Sequence, residues 1–93
     1  MNALDEKEIL DNLSKITKWV YKNGSLERKI EFSKYIESID FIYKIAIIAE
    51  KQGHHPKLTS DYKSLFIQLT THDVRGVSQK DFQLAKAIDA IEL

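Results

Sequence analysis

Apolar positions at the start of the chain recur at helical spacing. Ile9, Leu10 and Leu13 share one side of a helix and follow Asp5 and Glu8, whose three-residue separation is typical of a capping box. The pattern predicts a short amphipathic helix from Asp5 to about Leu13.

The spacing then changes to the alternation of a β-hairpin. Residues 18–21 are rich in strand formers and lead into Asn23-Gly24, a dipeptide that tolerates positive φ at both centres of a type I′ turn. Beyond this turn one predicted strand face carries Leu26, Arg28, Ile30 and Phe32, and the other carries Glu27, Lys29 and Glu31.

A longer helix is predicted from about residue 34 to residue 52, where apolar residues recur every 3.6 positions. The predicted buried stripe consists of Tyr35, Ile39, Ile42, Tyr43, Ala46 and Ala49. Gly53 suits the left-handed position that closes a helix, and Pro56 prevents the helix from resuming. His54 and His55 therefore lie in the non-helical exit from this helix.

Two further strands follow. Residues 58–62 form a short predicted strand, and residues 65–70 alternate between apolar and other residues. If the second of these strands continues, His72 lies on the same face as Phe66. The sequence leaves open whether Phe66, on a sheet face without helices, is an oligomer contact or a solitary exposed aromatic.

The last segment predicts a third helix. Arg75-Gly76 forms a turn, and Ser78 and Asp81 have the spacing of a second capping box. The buried stripe of the helix comprises Phe82, Ala85, Ile88 and Ile91. The order α-β-β-α-β-β-α favours an α+β domain over residues 1–93, with three helices packed on one face of a four-stranded antiparallel sheet.

Composition narrows the classes of function. Lys plus Arg and Asp plus Glu each number 14, so the chain lacks the basic footprint of a protein that binds nucleic acid directly. The absence of cysteine excludes disulfides and favours a reducing cytoplasm. No membrane span or signal peptide is expected. Zero net charge leaves little repulsion between copies, which favours self-association.

The three histidines fall between residues 54 and 72 and are the side chains expected to titrate near neutral pH. A zinc site is disfavoured, because adjacent histidines diverge and rarely reach one ion. His54-His55-Pro56 could simply place positive charge at a helix C-terminus. Two imidazoles beside a small pocket could instead act as general acid and base, a combination that suits elimination or isomerisation.

The stretch from Glu50 to Pro56, with Tyr62, His72 and Asp81 after it, resembles the pterin-4a-carbinolamine dehydratase family. The family pattern is an acidic residue, three positions, His-His-Pro, an aromatic, a histidine ten positions beyond, and an aspartate in the last helix. The resemblance extends from about Trp19 to Ile91, so it covers most of the chain.

The resemblance implies a hydro-lyase that converts 4a-hydroxytetrahydrobiopterin, left by an aromatic amino acid hydroxylase, to quinonoid dihydropterin in tetrahydrobiopterin recycling. By the same resemblance His54 and His72 exchange protons with the substrate, and His55 mainly holds the pterin. Because the pterin is the substrate, neither an organic cofactor nor a metal is expected. A homodimer or homotetramer that assembles through sheet edges and helices is also implied.

The substrate-binding residues that the resemblance implies are Glu50, Pro56, Thr71, Asp73, Lys80 and Asp81. Glu50 either orients an imidazole or is solvated, and Asp81 can serve both the site and the helix cap. Lys80 stands where many relatives carry arginine, and Gly53 stands where some carry an acidic residue. Trp19 is interpreted as a core or interface residue in preference to a pterin-stacking residue.

Two other functions stay open. Vertebrate relatives also act as a dimerisation cofactor for a homeodomain transcription factor, so a non-catalytic interaction protein is the alternative. A pterin role near molybdopterin metabolism is a further possibility.

Overall fold

The computed structural model describes residues 2–93, so Met1 of the predicted domain lies outside the described residues. The elements in chain order are α1 (Glu6–Leu13), β1 (Val20–Lys22), β2 (Ser25–Glu31), α2 (Tyr35–Gln52), β3 (Lys57–Asp61), β4 (Ser64–Leu69), a 3₁₀ turn (His72–Val74) and α3 (Gln79–Asp89). The predicted α+β class and the order of helices and strands are confirmed.

The four strands form one antiparallel sheet in the order β1-β2-β4-β3. The pairing of Leu26 with Leu69 and of Ile30 with Leu65 aligns the inward side chains of the two central strands. They form one core with buried residues of the helices, which include Ile9, Phe41, Ile45, Phe82, Leu84, Ala85 and Ile88. On the outer face Phe66 is half-buried between Lys29 and Thr59.

The local signals near the N-terminus are confirmed. Asp5 caps α1, and the reciprocal bonds between Asp5 and Glu8 complete the capping box. Asn23 and Gly24 have φ values of 51° and 79°, as a type I′ turn requires. The turn sets the register of β1 and β2, which pairs Lys22 with Ser25.

The predicted buried stripe of α2 is partly wrong. Tyr35, Tyr43 and Ala46 are exposed, whereas Phe41 and Ile45 are buried. The helix is apolar on more than one side, so periodicity alone did not show which side packs on the sheet. One consequence is an exposed apolar surface on α2, formed by Ile36, Tyr43 and Ile47.

The strand that precedes His72 does not continue as far as this histidine. β4 ends at Leu69, and His72 begins the 3₁₀ turn instead of extending the face of Phe66. The cause is a local bridge, in which the amide of Thr71 donates to the carbonyl of Gly76 at 2.9 Å. The turn ends at Arg75, whose φ of 55° is left-handed.

Trp19 is a core residue, as expected, and lies beneath the C-terminal end of α3. Its indole Nε1 donates to Asp89 at 2.8 Å, and Arg28 forms an ion pair with the same carboxylate at 2.5 Å. Arg28 is itself buried, so this cluster fixes α3 on the sheet. Within residues 2–93, no helix has the length and apolar character needed to cross a membrane.

Candidate active site

The C-terminal end of α2 holds His54 in a fixed backbone position. Gly53 has a φ of 64°, its amide donates to Glu50, and the amide of His54 donates to Ala49 at 3.2 Å. These two bonds make a Schellman motif, which satisfies carbonyls that the helix would otherwise leave unpaired. The predicted left-handed role of Gly53 is confirmed.

The imidazole of His54 is anchored to α3. Its Nε2 lies 2.6 Å from Oδ1 of Asp81, and the His54 side chain is only 11% exposed. Oδ2 of Asp81 accepts from the amide of Ser78 at 2.9 Å and from the Thr71 hydroxyl at 2.7 Å. The capping box predicted for Ser78 and Asp81 is present, so one carboxylate both caps α3 and holds the histidine.

His55 has a different environment. Its Nε2 lies 2.5 Å from Oε2 of Glu50, one turn back on α2. Both side chains are more than half exposed, at 63% and 76%. A pair this exposed contributes little to stability, of the order of 0–1 kcal/mol. Its evident effect is to orient the His55 ring.

The third histidine reaches the same region from the other side. His72, Asp73 and Lys80 line a cavity of about 260 Å³ together with His54 and His55. We call this the histidine cavity. Gly53, Thr70 and Thr71 complete its lining. The structure therefore brings all three histidines to one small cavity, although His72 is 17 or more positions from the other two.

A second cavity of about 280 Å³ adjoins the first, since His55 and His72 line both. We call it the hairpin cavity because the β1–β2 turn forms one wall. Its other lining residues are Asn23, Gly24, Ser25, Pro56, Lys57, Gln68 and Thr70. No carboxylate lines it, so the space suits neutral or anionic polar groups.

The predicted site residues fall into two groups. His54, His55, His72, Pro56, Thr71, Asp73 and Lys80 line one or both cavities. Glu50 and Asp81 are absent from both linings and bond to His55 and His54 instead. Asp81 is fully buried, so it cannot contact a substrate directly.

Sequence reasoning missed four groups at the site: Lys57 and Gln68 on the sheet, Thr70 directly after β4, and the hydroxyl of Ser78. The Ser78 hydroxyl lies 2.7 Å from that of Thr71, and Ser78 is fully buried. The capping-box spacing identified Ser78 only as a helix cap. Nothing in the spacing indicated its contact with Thr71, because that contact depends on how α3 docks against the turn after β4.

A larger cavity lies elsewhere. This cavity has a volume of about 620 Å³ and lies beside the N-terminal part of α2. Its lining includes Glu31, Phe32, Ile36 and Phe41. A hydrogen bond from Ser64 holds the pKa of the Glu31 carboxyl below its usual value. No histidine lines this cavity. Size alone therefore does not identify the site, and the clustering of proton-exchanging groups is the better guide.

Across residues 2–93, no three His, Asp, Glu or Cys side chains are grouped as potential metal ligands. Among these potential ligands, the side chains that approach each other most closely form two pairs, His54 with Asp81 and His55 with Glu50. Each pair joins one imidazole to one carboxylate, an arrangement that suits proton exchange.

Comparisons with known proteins point to one family. The family model for pterin 4 alpha carbinolamine dehydratase matches residues 2–91. A protein of Sulfolobus acidocaldarius, provisionally named pterin-4-alpha-carbinolamine dehydratase, is 42% identical over 89 residues, which cover 96% of this chain and 98% of the relative. A similarly named protein of Christiangramia forsetii is 42% identical over 91 residues, 98% of this chain and 94% of the relative.

A solved structure shows the same fold. The transcriptional coactivator/pterin dehydratase of Brucella melitensis superimposes with a TM-score of 0.91 at 27% identity. The match covers 96% of this chain and 97% of that one. The similarity therefore extends over the helices, the sheet and the region of the three histidines.

Proposed function

Because this chain belongs to the pterin 4 alpha carbinolamine dehydratase family, we propose that it dehydrates 4a-hydroxytetrahydrobiopterin to quinonoid dihydropterin. In this elimination the C4a–O bond breaks and the hydroxyl leaves as water after it accepts a proton. The lone pair of N5 forms a double bond to C4a as the water leaves, and N5 then loses its proton, so the electron pair of the N–H bond stays on N5. The reaction needs one acid and one base on the two sides of the substrate, and no change in oxidation state.

The observation that carries the proposal is the meeting of three imidazoles at one cavity. His54, His55 and His72 all line the histidine cavity, of about 260 Å³, and the hairpin cavity adjoins it. Imidazole both donates and accepts protons near neutral pH, so it suits each half of the elimination. The adjoining cavity offers room for the substituent that the pterin carries.

We propose the roles that the family resemblance implies, and the placement of each side chain supports them. We assign proton exchange to His54 and His72, which reach the cavity from different elements. His55, oriented by Glu50, holds the pterin. Asp73 and Lys80 contribute polar groups at the cavity wall, and Pro56, Thr71 and Asp81 keep the histidines in place.

The substrate is itself the pterin, so the proposed chemistry uses no further cofactor. In the cell we propose that the enzyme acts in the cytoplasm and recycles the product of an aromatic amino acid hydroxylase. A hydroxylase gene beside the gene for this chain would favour that role.

The direct test is to follow quinonoid dihydropterin as it forms from enzymically generated 4a-hydroxytetrahydropterin. His54→Ala and His72→Ala are each expected to lower kcat by about 10²–10⁴-fold, the usual contribution of one acid–base group. His55→Ala should mainly raise KM. Gln83→Ala, on the exposed side of α3, is the control and should match the unsubstituted protein. A purified, folded protein that gives no acceleration would reject the proposal.

We also propose that copies of the chain associate as a homodimer or homotetramer through α2. Its exposed surface presents Ile36, Tyr43 and Ile47, which a monomer would leave in water. The zero formal net charge would not oppose association.

A non-catalytic interaction protein is the second candidate, and the exposed apolar surface of α2 is the observation that favours it. Such a protein would have no need of an imidazole anchored by a buried carboxylate, so catalysis is the better-supported proposal. A pulldown from source lysate separates the two. Equal recovery of one regulator by the unsubstituted chain and by the His54→Ala, His72→Ala double variant would favour scaffolding, provided that the unsubstituted protein shows no turnover.

A further inference from the structure

We infer that His54 presents Nδ1, and never Nε2, as its proton-exchanging nitrogen, because a directed series of hydrogen bonds from Ser78 keeps a hydrogen on Nε2. The series runs from Ser78 through the Thr71 hydroxyl to Oδ2 of Asp81, whose other oxygen faces His54 Nε2 at 2.6 Å. The role of Nδ1 in catalysis rests on the proposed dehydration. The position of the hydrogen on Nε2 does not depend on that proposal.

The direction of each bond follows from what its atoms can do. An ionised carboxylate only accepts, so the single hydroxyl hydrogen of Thr71 is donated to Asp81, at 2.7 Å. Thr71 must then accept from Ser78, whose hydroxyl lies 2.7 Å away. Ser78 in turn accepts from the amide of Lys80, at 3.3 Å. Every hydroxyl in the series is thereby fixed as both donor and acceptor.

The backbone amide of Ser78 fixes the orientation of the carboxylate. It donates to Oδ2 of Asp81 at 2.9 Å, and an amide N–H cannot reverse its role. Oδ2 therefore accepts hydrogen bonds from the Ser78 amide and the Thr71 hydroxyl. Oδ1 is left to accept from His54. An acceptor that faces Nε2 at 2.6 Å requires Nε2 to carry hydrogen.

Burial prevents water from replacing these partners. Asp81 and Ser78 have no exposed surface, and Thr71 is 4% exposed. Buried polar groups of this kind are costly to leave unpaired, so the arrangement is the one that satisfies all of them. Thr71 and Ser78 are thus positioning residues that act on His54 through Asp81.

The consequence concerns both protonation states of His54. In the neutral ring Nε2 donates to Asp81, and the lone pair on Nδ1 can accept a proton. In the charged ring Nδ1 carries the second hydrogen and can donate it, while Asp81 stabilises the imidazolium. His54 can therefore serve as base or acid through one nitrogen without rotation of its ring.

Nitrogen-15 NMR of the imidazole rings tests the inference without any substrate. The chain has only three histidines, so single His→Gln variants assign the signals. In the unsubstituted protein we expect neutral His54 to carry its hydrogen on Nε2. In Asp81→Asn the carbonyl oxygen must face the Ser78 amide, which turns the side-chain NH₂ towards Nε2. The hydrogen of His54 should then move to Nδ1.

Glu8→Gln is the matched control, since Glu8 occupies the same capping-box position in α1 but contacts no histidine. It should leave the His54 signals unchanged. Turnover by Asp81→Asn should fall by about 10²–10⁴-fold in kcat with little change in KM, as expected when a base is held in the wrong tautomer.

Two results would overturn the inference: hydrogen on Nδ1 of neutral His54 in the unsubstituted protein, or hydrogen retained on Nε2 in folded Asp81→Asn. If Asp81→Asn does not fold, the spectrum of the unsubstituted protein still decides. The expected tautomers without any pterin turnover would support the hydrogen-bond assignment and reject the proposed function. Pterin turnover together with hydrogen on Nδ1 of neutral His54 would support the proposed function and reject the hydrogen-bond assignment.

Discussion

Substitution of Gly53 tests how far the backbone at the end of α2 supports the site. A Cβ added at this position would meet no heavy atom within 4 Å, so Gly53→Ala creates no clash. The φ of 64° is nevertheless left-handed, which costs a residue with a Cβ about 1–2 kcal/mol. Part of this cost is offset, because alanine lowers the entropy of the unfolded chain by about 0.4–1 kcal/mol.

The expected net loss in the free energy of unfolding is about 1 kcal/mol, which corresponds to a fall in Tm of about 4–8 °C for a domain of this size. Thermal unfolding followed by circular dichroism measures it. Gly53→Asn is the matched control, because asparagine tolerates the left-handed region and should lose less. Equal losses for alanine and asparagine, or no loss for alanine, would refute the reasoning from φ.

Substitutions at three further positions test other parts of the structure. Thr71→Val should lower stability by about 1–3 kcal/mol, since it deprives buried Asp81 and Ser78 of their partner, whereas Thr71→Ser should largely restore it in denaturant titrations. Asp89→Ala should cost about 3 kcal/mol, because it leaves Arg28 buried without its carboxylate; a loss below 1 kcal/mol would contradict that role. Tyr43→Glu should shift the protein towards the monomer in sedimentation velocity, and an unchanged oligomer would place the contact elsewhere.

Signals that involve neighbouring residues predicted their elements well. The Asp5–Glu8 pair, Asn23-Gly24 and Gly53 each fix a local backbone conformation that needs no distant partner. Their physical cause is contained in two to four residues, so the sequence alone revealed it.

Features that depend on docking were not predictable in the same way. The packed side of α2 was predicted only in part because the helix is apolar on several sides, and only contact with the rest of the core selects Phe41 and Ile45. The sequence left open whether the strand before His72 continues to that histidine, and the bridge between Thr71 and Gly76 shows that it does not. Both outcomes depend on contacts that hydrophobic periodicity does not encode.

The candidate site also combines features that the sequence indicated with contacts that only the fold reveals. The family resemblance indicated that His54, His72 and Asp81 matter, but not which of them touch. The bond between His54 and Asp81 joins residues 27 positions apart, and the full burial of Asp81 favours support of an imidazole over contact with substrate as its role. The fold had to be known before that role could be assigned.

The most direct measurement of the central proposal is a crystal structure of the protein with a bound dihydropterin. The proposal predicts the pterin ring in the histidine cavity, with His54 Nδ1 and a ring nitrogen of His72 on opposite sides, within about 2.6–3.2 Å of N5 and of the oxygen position on C4a or one water away. A pterin seated in the large cavity beside Phe32 and Phe41, with His54 and His72 both out of its reach, would contradict it.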